Sequence, residues 1–284
     1  MNLDNFLRLL PFERFRNPAP VVAVLRLNGV IGGRGPRGLT LERLSGMIER
    51  AFMPRHLKAV ALAISSPGGS PVQSALIQRR IRQLAQEKQV PVIAFAEDVA
   101  ASGGYWLALA ADEIYAEAAS LVGSIGVVSS GFGFTELIQR WGIERRLYTA
   151  GRSKSLLDPF LSEDPRDVER LGRLQQDLHD TFKALVEERR GAKLDKSVPE
   201  LFEGEVFSGR RAVELGLIDG IGDLRGVLRG RFGDRVRLRF VEPSHRSWQR
   251  WRPFFPGAQT SSADWVAECL AMVEERLLWD RFGL

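Results

Sequence analysis

The sequence has very little cysteine and histidine, and this scarcity restricts the chemistry available to the chain. Cys269 is the single cysteine in 284 residues, so no disulfide can form within the chain. With only three histidines beside it, a Cys/His zinc site is not expected. We therefore predict no metal ion, and no motif indicates an organic cofactor.

The sequence also lacks a long apolar run that could cross a membrane. The longest uncharged stretch, residues 118–135, is interrupted by four glycines. The N-terminus is broken by charges and a proline, so it has no continuous apolar core of a secretory signal. We therefore expect a cytoplasmic protein. The amphipathic residues 1–19 would either lie peripherally on the inner membrane or pack on the domain or a partner.

Charge of one sign is not concentrated anywhere along the chain. The 40 basic and 35 acidic residues leave a net charge of only +5. Because no basic stripe alternates with aromatic residues, we expect no nucleic-acid partner. Lysine itself is rare, since six of the 40 basic residues are lysines. The position of each lysine is therefore informative.

What the sequence does contain is typical of a soluble globular protein, with 44% apolar and 26% charged residues. Apolar segments alternate with helical patterns, which predicts parallel strand pairing in an α/β domain. The predicted strands are 20–31, 57–71, 90–98, 112–117, 125–129, 143–150 and 235–243. The predicted helices are 72–89, 103–111, 134–141 and 165–190, and residues 207–228 are predicted to form a helix, a Gly stop, a tight turn and a second helix.

These patterns divide the chain into three parts. Residues 1–19 form the amphipathic segment, and residues 20–243 form the main domain. Residues 244–284 comprise a linker rich in Pro, Ser and Trp, followed by an amphipathic helix. The apolar stripe of that helix is typical of a core or of an oligomer interface.

Ser102 stands out within AEDVAASGGYWLALAADEI, residues 96–114, because two glycines and a strongly apolar run follow it. Two interpretations are open. Ser102 could cap the helix that begins after it, since serine accepts hydrogen bonds from the free N–H groups of a first turn. Alternatively, it could be a nucleophile, but a serine hydroxyl is a poor nucleophile unless a base takes its proton.

Histidine is the usual base, and none of the three histidines is well placed. His56 precedes a strand, His179 lies on a charged helix and His245 lies in the linker. The sequence ASGGY is also not the G-x-S-x-G turn of the α/β-hydrolases.

Lysine can serve as the base where its surroundings favour the neutral amine, whereas arginine stays protonated. Of the four lysines that follow Ser102, only Lys154 comes after a predicted buried strand. Its apolar neighbours are predicted to keep water away; they are Leu156, Leu157 and Phe160.

Five stretches of the sequence resemble peptidase family S49, the signal peptide peptidase A serine peptidases, and they occur in the family's order. The stretches are SSPGGS (65–70), AASGGYWLALAAD (100–112), GSIGVV (123–128), GRSKSLLDPF (151–160) and VFSGRRAVELGLID (206–219). The interval from Ser102 to Lys154, 154 − 102 = 52 residues, is also family-like. The resemblance covers about residues 20–230 and implies the α/β fold shared by Clp protease and crotonase, with repeated ββα units.

The resemblance implies a Ser–Lys dyad in which Ser102 is the nucleophile and Lys154 is the base. Gly69 and Gly103 would supply the backbone N–H groups of an oxyanion hole, although Gly69 also suits a simple turn between a strand and a helix. Ser124 would hold the lysine amine by a hydrogen bond, but it too suits a turn.

The implied activity is hydrolysis of peptides with small or apolar residues near the cut, such as remnant signal peptides or membrane-protein fragments. Family members form rings in which serine and lysine come from adjacent subunits, so a homo-oligomer is implied. They commonly carry an N-terminal membrane anchor, for which the sequence shows no candidate. Two alternatives remain: a crotonase-like acyl-CoA enzyme, and a non-catalytic assembly partner with a peptidase fold.

Overall fold

The computed structural model of the chain describes residues 18–33, 38–151, 153–242, 273 and 276–283. The predictions for the N-terminal amphipathic segment and for the linker therefore fall almost entirely outside the described residues, and His245 and Cys269 do too. In the C-terminal part, residues 276–280 are helical, in agreement with the predicted helix.

An eight-stranded sheet forms the centre of the described domain. Along the sheet the strands follow the order β6-β5-β3-β2-β1-β8, and β4 pairs with both β3 and β7. The pairs are parallel except β5–β6, which confirms the predicted parallel α/β domain. The strands are β1 (Val21–Asn28), β2 (Leu57–Ser66), β3 (Val92–Ala101), β4 (Glu113–Ala116), β5 (Leu121–Gly123), β6 (Val206–Ser208), β7 (Gly220–Ile221) and β8 (Arg237–Phe240).

Strand β3 changes its partner along its length. Residues Ile93–Ala96 pair with β4, whereas Val99–Ala101 pair with β5. At the end of this fork Ala101 lies opposite Gly123, the last residue of β5. The fork therefore brings the residue that follows β3, Ser102, next to the end of β5.

Seven α-helices and a short 3₁₀-helix connect the described strands. The α-helices are α1 (Leu41–Ala51), α2 (Pro71–Lys88), α3 (Gly103–Ala108), α4 (Thr135–Arg140), α5 (Pro165–Arg190), α6 (Gly209–Glu214) and α7 (Leu224–Phe232), and the 3₁₀-helix is Pro199–Phe202. Helix α5 has the predicted limits, with Pro165 in its first turn and Asp164 as its N-cap. Helix α1 was not predicted, although Leu44, Ile48 and Ala51 bury one helical face.

The core lies on both faces of the sheet. On one face, apolar side chains of β2 pack against helices α2 and α3, and every residue of α3 is buried. On the other face, Val24, Ala61 and Phe95 pack against Leu228 of α7. The predicted buried helix after Ser102 is thus confirmed, and the burial on both sides explains why the central strands are apolar throughout.

Two predicted strands are wrong. Residues 125–129 have no regular structure, because β5 ends at Gly123 and Ser124 turns the chain with a φ of 52°. Residues 143–150 are exposed and form no strand. A strand requires a neighbour for its backbone hydrogen bonds, and no described strand lies beside this segment.

Candidate active site

The backbone of Ser102 adopts a conformation that non-glycine residues rarely take. Its φ is 53° and its ψ is −121°, and two hydrogen bonds hold it there. Its N–H donates to Gly123 O at 2.8 Å, and its carbonyl accepts from Trp106 N at 3.0 Å. Such strained residues persist only where the surrounding structure determines them, and they cluster at functional sites.

The Ser102 hydroxyl does not cap helix α3, although Ser102 occupies the N-cap position. It makes no hydrogen bond to any residue that the structure describes. The residue is partly exposed, while Ala101 and Gly103 on either side are buried. A partly accessible hydroxyl on a fixed backbone suits a nucleophile better than a helix cap.

The glycine turn after β2 lies directly against this serine. Gly68 and Gly69 have φ angles of 106° and 137°, which favour glycine. A Cβ at Gly68 would lie 2.8 Å from the Ser102 Cβ, and one at Gly69 would collide with the carbonyl oxygen of Ile31. The turn is held to Ile31 by two backbone hydrogen bonds of 2.8 Å. Both glycines are therefore required by the close approach of the turn to its neighbours.

Two backbone N–H groups beside Ser102 have no partner among the described residues, those of Gly69 and Gly103. They are neighbours, since a Cβ at Gly103 would lie 3.3 Å from Gly69 N. Helix α2 begins immediately after this turn, and its N-terminus adds partial positive charge. The pair is therefore suited to bind an oxyanion that forms on a carbonyl attacked by Ser102.

A small cleft of about 20 Å³ opens beside the serine. The aromatic rings of Trp106 and Phe182 stack there with their centroids 4.7 Å apart. The cleft is lined by Gly69, Pro71, Ser102, Gly103, Trp106, Gly126, Val127, Leu178 and Phe182. Trp106 and Phe182 were missed by sequence reasoning, although the spacing of Leu178, Phe182 and Val186 on a helix could have indicated the cleft-facing side.

Ser124 lies at the turn that follows β5, near the end of the same fork. It is buried, with 6% of its surface exposed, and its N–H donates to Glu205 O at 2.7 Å. Its hydroxyl forms no hydrogen bond to a described residue, so it remains free for another group. The structure thus places Ser102, Gly69 and Gly103 together, with Ser124 on the segment that leads into the cleft wall.

Lys154 does not line this cleft. It is exposed, and its side chain has no ion pair or hydrogen bond to another described residue. It belongs to a segment in which no described residue is buried, residues 128–151 and 153–163, which we call the lysine arm. The prediction that its neighbours shield it is wrong for the single chain, because Phe160 is 38% exposed and residues 143–150 are not a buried strand.

The turn that carries Lys154 is nevertheless internally braced. Arg145 forms an ion pair with Asp158 at 2.8 Å, and the ring of Phe160 lies 5.7 Å from that of Phe134. Hydrogen bonds from the Arg145 guanidinium and from the Phe160 N–H lower the pKa of Asp158 below its ordinary value. Much of the arm is apolar and exposed: Val128, Phe132, Phe134, Leu137, Trp141, Ile143, Leu147, Tyr148, Phe160 and Leu161.

Helix α5 is anchored at its far end by a buried arginine. Arg190 donates to Asp219 at 2.7 Å and to the carbonyl of Gly216 at 2.9 Å. Burial of Asp219 opposes its ionisation, but hydrogen bonds from Arg190, Lys193 and the Ile114 N–H outweigh this and lower its pKa. The anchor fixes the helix that supplies Leu178 and Phe182 to the cleft.

A larger cavity of about 750 Å³ lies elsewhere, beside Phe95, Phe240 and the start of α7. Its one serine, Ser120, donates its hydroxyl to the carbonyl oxygens of Ala96 and Glu97. The larger cavity therefore offers no serine hydroxyl that is free to act as a nucleophile, and the small cleft beside Ser102 remains the candidate active site. Among the described residues, no cluster of side chains could hold a metal ion, and no helix is long and apolar enough to cross a membrane.

Comparison with known sequences points to one family. The model of peptidase family S49 matches residues 84–230. The Na(+)/H(+) antiporter NhaA of Brucella abortus (strain 2308) is 48% identical over 286 residues, which cover 98% of this chain and 39% of that protein. The chloroplastic serine protease SPPA of Arabidopsis thaliana is 34% identical over 213 residues, which cover 72% of this chain and 31% of that protein. The chain thus spans less than half the length of either relative.

Comparison with solved structures concerns the fold. The 1510-N membrane-bound stomatin-specific protease, as a lysine-to-alanine mutant in complex with a substrate peptide, superposes with a TM-score of 0.51. The two chains are 15% identical, and the match covers 90% of this chain and all of the other. The likeness supports the Clp-protease-like α/β fold that the sequence implied.

Proposed function

Because this chain belongs to peptidase family S49, a family of serine hydrolases, we propose that it is an endopeptidase that uses Ser102 as nucleophile and Lys154 as base. The observation that carries the proposal is the geometry at Ser102. Its hydroxyl lies on a strained backbone beside the N–H groups of Gly69 and Gly103, and none of these three groups has a hydrogen-bond partner among the described residues.

The reaction would proceed in two halves. The Ser102 oxygen attacks the peptide carbonyl while the neutral Lys154 amine takes the hydroxyl proton. The carbonyl oxygen becomes an oxyanion that accepts hydrogen bonds from Gly69 and Gly103. Lys154 then gives its proton to the leaving amine. In the second half the same lysine takes a proton from water, whose oxygen attacks the acyl-serine, and passes that proton to the Ser102 oxygen as the ester bond breaks.

We propose that the lysine reaches the serine from a neighbouring copy of the chain. Lys154 does not line the cleft of its own chain, and the lysine arm that carries it exposes large apolar side chains. Trp141 is 76% exposed and Tyr148 is 91% exposed, which is unusual for a surface that no partner covers. Docking of the arm on a neighbour would bury these side chains and bring Lys154 to a second cleft, where Ser124 could hold its amine.

The substrate would be an extended peptide with a small or apolar residue before the cut. The cleft of about 20 Å³ beside Ser102 holds little more than one water molecule, and Trp106 and Phe182 form its apolar wall. Remnant signal peptides and membrane-protein fragments supply such residues.

The first experiment tests the nucleophile with a fluorogenic peptide rich in alanine and leucine. We expect the purified protein to cleave it and the Ser102→Ala variant to be inactive, since the variant has no group to form the acyl-enzyme. Equal turnover by both proteins would remove Ser102 from the mechanism.

A mixing experiment tests the shared site. The Ser102→Ala and Lys154→Ala variants should each be inactive alone, but co-assembly in equal amounts should restore about a quarter of the wild-type activity, because one interface in four then pairs an intact serine with an intact lysine. If serine and lysine act within one chain, no site in the mixture is intact and the mixture remains inactive.

A further inference from the structure

His179 is a polar residue next to Leu178, which lines the cleft, and the proposed chemistry gives His179 no role. It is half-buried on helix α5, and its Nε2 lies 3.1 Å from the carbonyl oxygen of Ile125. A carbonyl oxygen only accepts hydrogen bonds, so this contact assigns the proton to Nε2. That nitrogen is therefore occupied as a donor and does not serve as the base for Ser102.

The acceptor of this bond is buried and has no other donor among the described residues. Ile125 is fully buried, and its carbonyl receives no backbone hydrogen bond within the described chain. Loss of the imidazole would leave a buried carbonyl oxygen unpaired, which is costly. A side chain that donates a hydrogen bond to the Ile125 carbonyl is thus required at position 179.

Both segments joined by this bond contribute to the lining of the Ser102 cleft. Helix α5 supplies Leu178 and Phe182, and the segment after β5 supplies Gly126 and Val127. Because the hydrophobic effect has no preferred direction, burial of apolar side chains does not by itself fix how these two segments lie relative to each other. A directional hydrogen bond fixes their relative position.

The same segment also holds the nucleophile. Gly123, two residues before Ile125, accepts the hydrogen bond from the Ser102 N–H at 2.8 Å. On the far side of Ile125, the chain continues directly into Gly126 and Val127 of the cleft wall. The position of Ile125 therefore decides where the wall stands relative to the serine.

We propose that His179 is a positioning residue of the active site, which sets the width of the cleft by tying residues 124–127 to helix α5. The inference rests on the proposed function, because it assigns the cleft as the place where the substrate side chain binds. It does not depend on which residue acts as the base.

The kinetic test compares two amides at position 179 in the full-length protein. In His179→Gln the amide nitrogen has about the same reach as Nε2 and can donate, whereas the amide of His179→Asn is one methylene too short. We expect His179→Asn and His179→Ala to raise KM about tenfold, with kcat within about threefold of wild type. His179→Gln should restore a KM close to wild type. Gln176→Ala, at an exposed position of the same helix, is the matched control and should change neither constant.

A binding measurement separates this inference from the proposed function. In the Ser102→Ala background, a labelled peptide rich in alanine and leucine should bind about tenfold more weakly when His179→Asn is added, but not when His179→Gln is added. Equal affinities in the three proteins would overturn the positioning role. The positioning role would also be overturned if His179→Asn and His179→Gln left KM unchanged and lowered kcat only as far as the fraction of folded protein fell. If the wild type cleaves no peptide but the binding difference persists, the proposed function fails and the role of His179 in the cleft stands.

Discussion

The segments that carry Ser102 and Lys154 are built in opposite ways. Ser102 is held by backbone hydrogen bonds at the end of a central strand, and the helix that follows it is entirely buried. Lys154 lies on an arm in which no described residue is buried and which exposes many large apolar side chains. The proposed nucleophile and the proposed oxyanion donors thus lie together within one chain, whereas Lys154, the proposed base, is exposed on the lysine arm.

This difference has a physical reason. A nucleophile and an oxyanion hole require backbone groups fixed to within a fraction of an ångström, which a packed core provides. A lysine that acts as a base needs to be desolvated, and an arm that is exposed in the single chain can be desolvated only by a partner. We therefore expect mutations near Ser102 to change the activity and stability of the single chain. Mutations in the lysine arm should change activity by changing assembly.

The largest effect is expected from Lys154→Arg. The guanidinium keeps the charge but cannot release its proton, so activity should fall about 10³-fold. Peptide cleavage by variants that fold and assemble normally measures this. Lys183→Ala is the control, because Lys183 pairs with Asp180 on the outside of α5 and should retain activity. Substantial activity of Lys154→Arg would mean that another group activates Ser102.

A second prediction compares a glycine near the serine with a glycine of the lysine arm. Gly69→Ala places a methyl group against the carbonyl of Ile31 and displaces an oxyanion donor, so kcat should fall about 10²-fold. Strain at its φ of 137° should also cost about 1–3 kcal/mol of unfolding free energy. Gly131→Ala has open space around its Cβ and should leave both quantities unchanged. Equal effects of the two substitutions would contradict the contrast between the two regions.

The third prediction concerns the apolar surface of the arm. Trp141→Ser should shift the protein toward smaller assemblies and lower activity about tenfold, while the melting temperature of the dissociated chain stays unchanged. Light scattering across a concentration series, together with peptide cleavage, measures both effects. Met53→Ser removes a side chain that is 74% exposed on the body of the domain, and it should alter neither. An unchanged assembly in Trp141→Ser would argue against docking through the arm.

The smallest effect on activity is expected from Asp219→Asn, which acts on stability. Removal of the carboxylate leaves Arg190 buried without its counter-charge, which should cost about 3 kcal/mol of unfolding free energy. Because the pKa of Asp219 is lowered in the folded state, the pair stabilises the protein above the ordinary aspartate pKa, and this contribution is lost as the pH falls further.

Denaturant unfolding at several pH values checks this prediction. The difference in stability between wild type and Asp219→Asn should be complete near neutral pH and should shrink below about pH 4. The folded variant should keep its activity, since Asp219 does not line the cleft. A difference that stays constant down to low pH would show that the carboxylate charge is not the cause.

The α/β class and the order of most elements could be predicted from the sequence. Apolar runs such as 57–66 are typical of strands buried on both faces, and the Pro165 start of α5 is a local signal. The sequence also singled out Ser102, Lys154 and the glycine turn, because their spacing matches a family pattern. Local sequence could not exclude that Ser102 is a helix cap, since serine serves both purposes.

Which of these residues lie close together could not be predicted from the sequence and follows from the fold. The fork in β3 places Ser102 beside Gly123, and the turn at Gly69 reaches it from another strand, through contacts between residues far apart in the chain. His179 also becomes informative only when its carbonyl partner is known. The strand predicted at 143–150 does not form, because no strand among the described residues lies beside it to complete its backbone hydrogen bonds.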